Sequence, residues 1–384
     1  MRPELSSEWL ASATAAIAAG AERELDALVA VSSPSGDRGA AEEICAVLAA
    51  LLPPGAAVRR LPCSSPDHAP DLLATLTGAG SARLLLLGHL DTVVAHPDHR
   101  PLEVVGERLV GSGAIDMKGG VVLALGVLRA LAALPTCFAE LSLLAVNDEE
   151  WRTGGFDHGS LFAGYHACLC FEAGELGPAG EEGVVARRKA AATMRVAARG
   201  LAAHSGSAPE RGRNALLALA EAARRVAELH DPRGSERLTA VPTVIRAGDA
   251  FNVVPAAGEL VSDLRADRLE AFEPLLDAIP PVLGEVELEA ELVRRWPGMD
   301  TRGPVSDRML GPAQRLLGRR IVATERGGAS DASHLASHVP LTVDGLGPRG
   351  GRAHNPEEFV LRDSLRSRAE VALAIAAAAL SLGR

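Results

Sequence analysis

The sequence predicts an α/β fold with a mixed, mostly parallel sheet flanked by helices, together with an inserted α+β domain. Apolar runs such as "RLLLLGHL" and "AELSLLAVND" alternate with helical runs such as "GGVVLALGVLRALAAL" up to about residue 180, which is typical of this class. The strand-like runs are apolar throughout, as a sheet covered on both faces requires. The 384 residues exceed the roughly 100–200 residues of one typical domain, so we expect two domains.

The order of the elements locates the inserted domain. The strands "DLLATLTG", "RLLLLGHL", "AELSLLAVND" and "HACLCFEAGE" come first, and the pattern changes near Arg187. A strand "KAAATMRVAARG", a long helix "NALLALAEAARRVAELH", strands "TAVPTVIRAG" and "GELVSDLRA", and a helix near Leu269–Ala278 then suggest a compact α+β segment. The α/β pattern resumes with "RRIVATERGGASDASH" and "PLTVDGLGP" and ends in a helix from about Leu365. We therefore predict a first domain formed by residues 1–187 and 298–384, and an inserted domain over residues 188–297.

Charge and cysteine content exclude several classes of protein. The formal charge of −10, from 39 basic and 49 acidic residues, argues against nucleic acid or an anionic membrane as a partner. No run approaches the ~20 apolar residues of a membrane span, and the N-terminus is typical of an amphipathic helix rather than a signal peptide. The five cysteines lack a regular framework and are expected to be reduced, buried thiols. We expect a soluble, cytoplasmic protein that acts on a small molecule.

Two stretches place acids and a histidine where a ligand site would be expected. In "GHLD", His89 and Asp91 stand two residues apart and share one face of a strand. The carboxylate can fix the tautomer of the imidazole and leave its other nitrogen for a metal, although a locally bonded histidine would look the same. Asp116 in "GSGAIDMKGG" precedes a helix, where it could equally be a capping residue.

Three further stretches follow apolar strands in the same way. "VNDEEW" carries Asp148, Glu149 and Glu150, "CFEAGE" carries Glu172, and "GGRAHNPEE" carries His354. Taken singly, an acidic surface turn or a loop histidine explains each of them. In an α/β sheet, however, ligands bind beyond the carboxyl ends of the strands, which is where these residues stand.

Taken together, these stretches supply two imidazoles and four carboxylates. Such a set suits two divalent cations such as zinc, with one carboxylate bridging them and one left free as a general base. Two metals roughly 3.5–4 Å apart can activate a water and polarise a carbonyl, which amide hydrolysis requires. The six candidates are His89, Asp116, Glu149, Glu150, Glu172 and His354.

With these residues in order, the chain resembles the co-catalytic zinc peptidases and amidohydrolases. This family includes glutamate carboxypeptidase, acetylornithine deacetylase, succinyl-diaminopimelate desuccinylase and aminoacylase. The resemblance covers nearly the whole chain, and within the family the sequence is most similar to the glutamate carboxypeptidase branch. It rests on the ordered motifs "GHLDTV", "GSGAIDMKGG", "NDEEWRTGG", "FEAGE", "AAHSGSAPERGRNAL", "FNVVPAAGELVSDLR", "GGASDASHLA" and "GGRAHNPEE".

The resemblance implies a role for each member of the candidate site. Asp116 would bridge two Zn²⁺ ions, with Co²⁺ or Mn²⁺ as alternatives. His89 with Glu172 would complete one metal site, and Glu150 with His354 the other. Glu149 would be the general base, and Asp91 would be the hydrogen-bond partner that orients His89.

The resemblance also implies that the inserted segment is a dimerisation or lid domain and that the protein is a homodimer. His204 in "AAHSG" would stabilise the oxyanion of the reaction in the partner's active site. A free carboxylate on the substrate would be bound by a set of polar groups, each of which could instead form an ordinary salt bridge. This set comprises Lys189, Asn252, Arg265, Arg295 or its neighbour Arg294, and the backbone around Gly328.

The implied activity is the hydrolysis of an N-acyl or peptidyl amino acid with a free carboxylate. A deacylase of the acetylornithine or succinyl-diaminopimelate type is the alternative, and a non-catalytic metal-binding or ligand-binding relative is another. The presence of Glu149 beside Glu150 favours an enzyme, since a relative without catalysis need not keep the base. The sequence departs from the family pattern at Trp151 and Arg152, which we expect to reshape one wall of the site.

Overall fold

The computed structural model describes residues 5–383, and residues 1–4 and 384 lie outside the described part. The chain divides into two compact units, each with its own hydrophobic cluster. The first unit comprises residues 5–187, 300–326 and 330–383 of the described chain, and the second comprises residues 188–299 and 327–329. The inserted domain was predicted to span residues 188–297.

Most helices of the described residues belong to the first unit. Within residues 5–383 the α-helices are α1 (Ser7–Val29), α2 (Arg38–Leu51), α3 (Gly119–Ala132), α4 (Ala215–Glu228), α5 (Glu273–Asp277), α6 (Arg302–Val305), α7 (Gly311–Leu317), α8 (Asp331–Leu335) and α9 (Arg362–Leu380). Of these, α4 and α5 belong to the second unit. The helices α1, α3 and α9 pack on one another, and α3 is buried along nearly its whole length. None of the helices in this part of the chain combines the length and apolar character needed to cross a bilayer.

The strands of the described residues form four sheets. They are β1 (Ala57–Leu61), β2 (Asp71–Thr77), β3 (Arg83–His89), β4 (Glu103–Val105), β5 (Arg108–Val110), β6 (Glu140–Val146), β7 (Ala167–Cys170), β8 (Glu175–Leu176), β9 (Glu182–Arg188), β10 (Ala190–Arg199), β11 (Thr239–Ala247), β12 (Ala257–Ala266), β13 (Val282–Leu283), β14 (Val286–Trp296), β15 (Met299–Asp300), β16 (Ile321–Arg326), β17 (Thr342–Val343), β18 (Gly350–Gly351) and β19 (Phe359–Leu361).

The central sheet confirms the predicted mixed, mostly parallel architecture. Its order is β1-β2-β6-β3-β7-β17. The pairs β6–β3, β3–β7 and β7–β17 are parallel, whereas β1–β2 and β2–β6 are antiparallel. The strands β3, β6 and β7 are buried almost throughout, because helices and loops cover both faces of the sheet. Their carboxyl ends consequently meet at one edge.

The second unit is an α+β structure of its own. A five-stranded antiparallel sheet runs in the order β11-β12-β10-β14-β13, and α4 packs against β10, β11 and β12. Asn214 begins α4 because its side-chain oxygen accepts hydrogen bonds from the backbone N–H groups of Leu216 and Leu217. The motif "GRNAL" is therefore a helix start.

The cysteines confirm one expectation and correct another. None of the five forms a disulfide within the described residues. Four of them are buried, but Cys63 is only partly so. The exception arises because Cys63 lies on the irregular segment between β1 and β2 rather than in a helix or a buried strand.

Candidate metal centre

Three parallel strands deliver most of the candidate residues to one edge of the central sheet. β3 ends at His89, β6 is followed within a few residues by Glu149 and Glu150, and β7 is followed by Glu172. His89 is 1% exposed and Glu149 is 8% exposed. These polar side chains are therefore buried, like the apolar strands that precede them. Burial of several charged groups without cations among them would be costly.

Asp116 lies between the two histidines of the candidate set. It belongs to a short π-helical turn, Ala114–Lys118, that leads into α3, and its peptide bond to Met117 is cis. One carboxylate oxygen, Oδ1, is 3.1 Å from His89 Nε2, and the other, Oδ2, is 3.2 Å from His354 Nε2. The two oxygens of one side chain therefore face two different imidazoles.

Each imidazole has a second carboxylate beside it. Glu172 Oε1 lies 3.8 Å from His89 Nε2, and Glu150 Oε2 lies 3.3 Å from His354 Nε2. Potential ligand atoms of His89, Asp116 and Glu150 all lie within 4.8 Å of one another. The structure thus brings together the five residues that the sequence predicts as metal ligands.

Asp91 organises this edge of the sheet in two ways. The Nδ1 atom of His89 lies 3.0 Å from the backbone oxygen of Asp91 and 3.4 Å from its carboxylate. The same carboxylate accepts hydrogen bonds from the backbone N–H groups of Glu149 and Glu150, at 3.1 Å each. The predicted contact with His89 is present, and the second contact, which holds the acidic segment, was not visible in the spacing of the sequence.

Asp116 and the two histidines shift the pKa values of one another. Hydrogen bonds to Asp116 and Glu150 raise the pKa of His354 to about 10. Burial alone would lower the pKa of His89, but the carboxylates of Asp116 and Asp91 raise it well above its usual value. Burial would raise the pKa of Asp116, yet His354 and His89 hold it well below its usual range. These carboxylates therefore require cations among them, whether protonated imidazoles or metal ions.

The side chains of Glu149 and of the proposed ligand Glu150 are both buried, and burial raises the pKa of each carboxyl, although His354 opposes the shift of Glu150. Burial raises the pKa of Glu149 well above the ordinary value for glutamate, Glu172 and Asp331 raise it further, and His89 opposes the shift. A carboxylate in such surroundings has a greater affinity for a proton than one in water. This property suits a group that accepts and returns a proton during a reaction.

The five proposed ligands, together with the proposed base Glu149, fit two divalent cations. Four carboxylates and two neutral imidazoles carry a formal charge of −4, which two such ions would balance. Nitrogen and oxygen donors in this mixture suit zinc, cobalt or manganese rather than a soft thiolate-binding metal. The set consists of His89, His354, Asp116, Glu149, Glu150 and Glu172.

His204 lies in the second unit and is exposed. Its Nδ1 atom accepts hydrogen bonds from the backbone N–H groups of Gly206 and Ser207, at 3.1 Å and 3.2 Å. Because Nδ1 is an acceptor, the proton of the neutral ring lies on Nε2. The ring is therefore oriented by its loop and offers one N–H donor to the exterior.

The predicted carboxylate-binding residues also belong to the second unit. Arg265 pairs with Asp263 on the same strand, at 2.9 Å. Arg295 pairs with Glu273 at 3.0 Å, and Lys189 Nζ donates a hydrogen bond to the backbone oxygen of Arg237 at 2.6 Å. The backbone oxygen of Gly328 accepts a hydrogen bond from Arg188 at 2.9 Å. Asn252 is exposed. The salt-bridge alternative for the two arginines is thus present in the structure.

The two residues that were expected to reshape one wall of the site have opposite environments. Trp151 is 61% exposed, as a wall residue can be, but Arg152 is fully buried. Its guanidinium lies 2.6 Å from Asp331 and 3.4 Å from Asp148, and it stacks on the ring of Phe156. Arg152 is withdrawn from the surface because the two buried carboxylates attract it. It joins the acidic segment after β6 to the start of α8.

A second group of potential ligand atoms lies close by. Cys63, Asp71 and Asp148 have such atoms within 4.8 Å of one another. The carboxylates already have partners, since Asp71 is 2.8 Å from His158 Nε2 and Asp148 accepts from the backbone N–H of Ser65 at 2.9 Å. Burial also raises the pKa of the Cys63 thiol, which disfavours the thiolate that a metal would need. We interpret this group as structural.

At this edge of the sheet, one carboxylate faces two imidazoles and a buried glutamate lies nearby. Such an arrangement is typical of metal-dependent hydrolases of amide bonds. The chain belongs to the peptidase family M20/M25/M40, whose family model matches residues 85–378. Members of this family are hydrolases, and this confirms both the resemblance and the enzyme class predicted from the sequence.

Several known proteins are similar to this chain. Carboxypeptidase G2 of Pseudomonas sp. (strain RS-16) is 27% identical over 306 residues, which cover 76% of this chain and 72% of that protein. A succinyl-diaminopimelate desuccinylase of Rhodospirillum centenum is 29% identical over 354 residues, covering 84% of this chain and 88% of that protein. An M20 family metallo-carboxypeptidase of Sulfolobus solfataricus has the same fold, with a TM-score of 0.73 at 17% identity over 94% of this chain and 99% of that one.

Proposed function

We propose that the protein hydrolyses the amide bond of an N-acyl or peptidyl amino acid that carries a free carboxylate, using two divalent cations, with zinc as the first choice. The observation that carries this proposal is the position of Asp116, whose two oxygens face His89 and His354 separately, at 3.1 Å and 3.2 Å. A carboxylate in this position can bridge two metals, and the flanking acids Glu172 and Glu150 give each metal one more ligand.

The residues of the first unit would divide the work. Bound metals supply Lewis-acid polarisation of the scissile carbonyl and of the attacking water. Glu149 takes a proton from that water and passes it to the leaving nitrogen, so that the amine departs in a neutral form. Asp91 keeps His89 oriented and holds the backbone of Glu149 and Glu150 in place.

The second unit would contribute substrate contacts. The exposed Nε2–H of His204 is available to donate to the oxygen that becomes negatively charged in the transition state. A substrate carboxylate would bind the fork of Arg265 or Arg295, with Lys189, Asn252 and Gly328 as further contacts. Such a carboxylate would have to compete with Asp263 and Glu273, which now pair with the two arginines.

We further propose a homodimer formed through the second unit and a cytoplasmic location. The edge strand β11 exposes Val241, Val244 and Ile245, and an apolar strand edge of this kind is suited to pairing with another copy. The absence of disulfides among the described cysteines is consistent with a reducing compartment.

A deacylase is the second candidate. The similarity to a succinyl-diaminopimelate desuccinylase spans 84% of this chain, somewhat more than the similarity to carboxypeptidase G2. Both candidates share the metal centre and differ only in the acyl group that the enzyme accepts. The exposed Trp151 beside Glu150 favours a larger, flat acyl group and therefore the carboxypeptidase type.

Amino-acid release from a panel of substrates tests the proposal. We would incubate zinc-loaded protein with N-acetyl, N-succinyl and N-benzoyl amino acids and with dipeptides, each as the free acid and as the C-terminal amide. Release from the free acid that is lost in Glu149→Gln would support the hydrolase, and the preferred acyl group would separate the two candidates. Equal release from acid and amide would reject the carboxylate requirement, and no release from any member would contradict this substrate class.

A further inference from the structure

Glu358 stands outside the metal centre and is the acid of the "HNPEE" motif that is withdrawn from solvent, at 1% exposure. One of its carboxylate oxygens, Oε1, accepts a hydrogen bond from the backbone N–H of Gly113. The other, Oε2, accepts from the backbone N–H of Asp116 at 3.2 Å. A single side chain therefore occupies two backbone donors of the loop that carries the central carboxylate.

The contact joins two segments that are far apart in the sequence. Glu358 is separated from Asp116 by 242 residues, but it follows His354 by only four. The backbone continues the link, because the Glu358 carbonyl accepts from the N–H of Gly111 at 3.0 Å, next to the pairing of β19 with β5. Glu358 thus connects the loop of Asp116 with the loop of His354. The Oδ2 atom of Asp116 and the Nε2 atom of His354 lie 3.2 Å apart.

The loop it holds has little regular structure to keep it in place. Gly113 has a positive φ of 75°, and Asp116 and Met117 depart from helical backbone angles within the π-helical turn. The N–H groups of Gly113 and Asp116 are not used within a regular helix or strand, so the carboxylate satisfies donors that burial would otherwise leave unpaired.

We propose that Glu358 is a positioning residue for the metal centre, which sets the orientation of Asp116 relative to His354 by holding the backbone N–H groups of Gly113 and Asp116. This inference rests on the proposed metal centre and adds a residue that acts on it through the backbone of the loop that carries Asp116. Groups that orient metal ligands in this way typically change metal affinity by about 10- to 100-fold when they are altered.

The neighbouring Glu357 provides a matched control. It belongs to the same motif, but its carboxylate is 48% exposed and pairs with Arg100 and Arg352 at 3.0 Å and 2.9 Å. Glu357→Gln makes the same replacement of a carboxyl group by an amide in the same segment without touching the loop of Asp116.

Two substitutions at Glu358 separate the reach of the side chain from its carboxyl group. Glu358→Gln keeps the length of the side chain, but its amide nitrogen cannot accept from the second N–H group. Glu358→Asp keeps the carboxyl group but is one methylene too short to reach both donors. If the carboxylate positions Asp116, both variants should weaken metal binding.

The experiment measures zinc affinity by competition with a chromophoric chelator, together with the visible spectrum of the cobalt-loaded proteins and the thermal unfolding of the metal-free proteins. We expect about 10- to 100-fold weaker binding of at least one of two zinc ions and an altered cobalt spectrum in both Glu358 variants. Glu357→Gln should match the wild type in both respects.

Three outcomes would overturn the inference. Glu358→Asp with wild-type affinity would show that the carboxyl group matters but its reach to both N–H groups does not. Variants that lower only the unfolding temperature, with unchanged zinc affinity and cobalt spectrum, would show a structural role alone. A wild type that binds no zinc would reject the proposed metal centre as well, whereas the first two results would leave that centre intact.

Discussion

At the scale of single residues, neighbours in the sequence have opposite environments at this site. Glu149 is buried, with no ligand role assigned to it, while Glu150 stands 3.3 Å from an imidazole. Trp151 is exposed and Arg152 is fully buried between two carboxylates. Side chains after the end of β6 therefore alternate between the metal centre, the solvent and the interior, so each substitution there should affect a different property.

Replacing Glu149 should separate catalysis from metal binding. We expect Glu149→Gln to retain two zinc ions per chain and to lose turnover by about 10²- to 10⁴-fold, the usual contribution of a general base. Metal content by elemental analysis and the rate of amino-acid release measure the two properties. Glu150→Gln is the control and should lose metal; loss of zinc from Glu149→Gln would instead make Glu149 a ligand.

Replacing Arg152 should destabilise the fold. Arg152→Met would leave the buried carboxylates of Asp331 and Asp148 without their cation, and breaking such a pair typically costs about 3–5 kcal/mol. Burial already raises the pKa of Asp331 to about 7 despite this arginine. Urea unfolding gives the free-energy change, with the exposed neighbour Trp151→Met as control; equal stability of the two variants would contradict the structural role of Arg152.

At the scale of secondary-structure elements, the close approach of α3 to the end of β7 positions Glu172. Gly120 lies in the first turn of α3, and a Cβ atom added there would meet the Phe171 carbonyl oxygen at 1.9 Å. Phe171 directly precedes Glu172. The glycine therefore permits the helix and the ligand-bearing segment to pack without an intervening side chain.

Gly120→Ala should affect both stability and metal binding. Overpacking of this kind typically costs about 1–3 kcal/mol or more, because backbone on one side must move. Displacement of Phe171 would carry Glu172 with it, so we also expect weaker zinc binding. Gly303→Ala in α6, where nothing lies within 4 Å of the added atom, is the control and should be neutral or slightly stabilising. Unchanged unfolding of Gly120→Ala would contradict the packing argument.

The secondary-structure elements also show which features of the fold and of the candidate site could be predicted from the sequence. The α/β fold and the strand-end positions of His89 and Glu172 follow from local patterns, since parallel strands bring their carboxyl ends to one edge. Contacts made across long separations could not be predicted in this way. Arg152 meets Asp331 across 179 residues, and Glu358 meets Asp116 across 242. No periodicity or spacing links such pairs, so Arg152 was expected only to reshape one wall of the site and Glu358 was not singled out.

At the scale of the whole molecule, the two units have separate cores and separate tasks in the proposed reaction. All the proposed metal ligands and the base belong to the first unit, whereas His204 and the proposed carboxylate-binding residues belong to the second. The chain enters the second unit after Arg187 and returns to the first at Asp300. Changes on the outer surface of the second unit should therefore leave metal binding unaffected, which gives a test of its proposed role in dimerisation.

The edge of the second unit's sheet offers that test. Val244 and Ile245 on β11 are 38% and 45% exposed, and among residues 5–383 β12 is the only strand that pairs with β11, which leaves its other edge free. A lysine on such an edge opposes pairing with a second copy, since its charge would be buried in the contact. We expect wild-type protein to have the mass of two chains by light scattering after size exclusion, and Ile245→Lys the mass of one.

The opposite edge of the same sheet supplies the control. Val282 on β13 is 52% exposed, and Val282→Lys adds the same charge to the other side without changing β11. This variant should keep the mass of the wild type, and both variants should bind zinc as the wild type does, because their substitutions lie outside the first unit. A wild type with the mass of one chain would reject the homodimer. A dimer that survives Ile245→Lys but dissociates with Val282→Lys would move the interface from β11 to β13, since the charge acts only where the two chains meet.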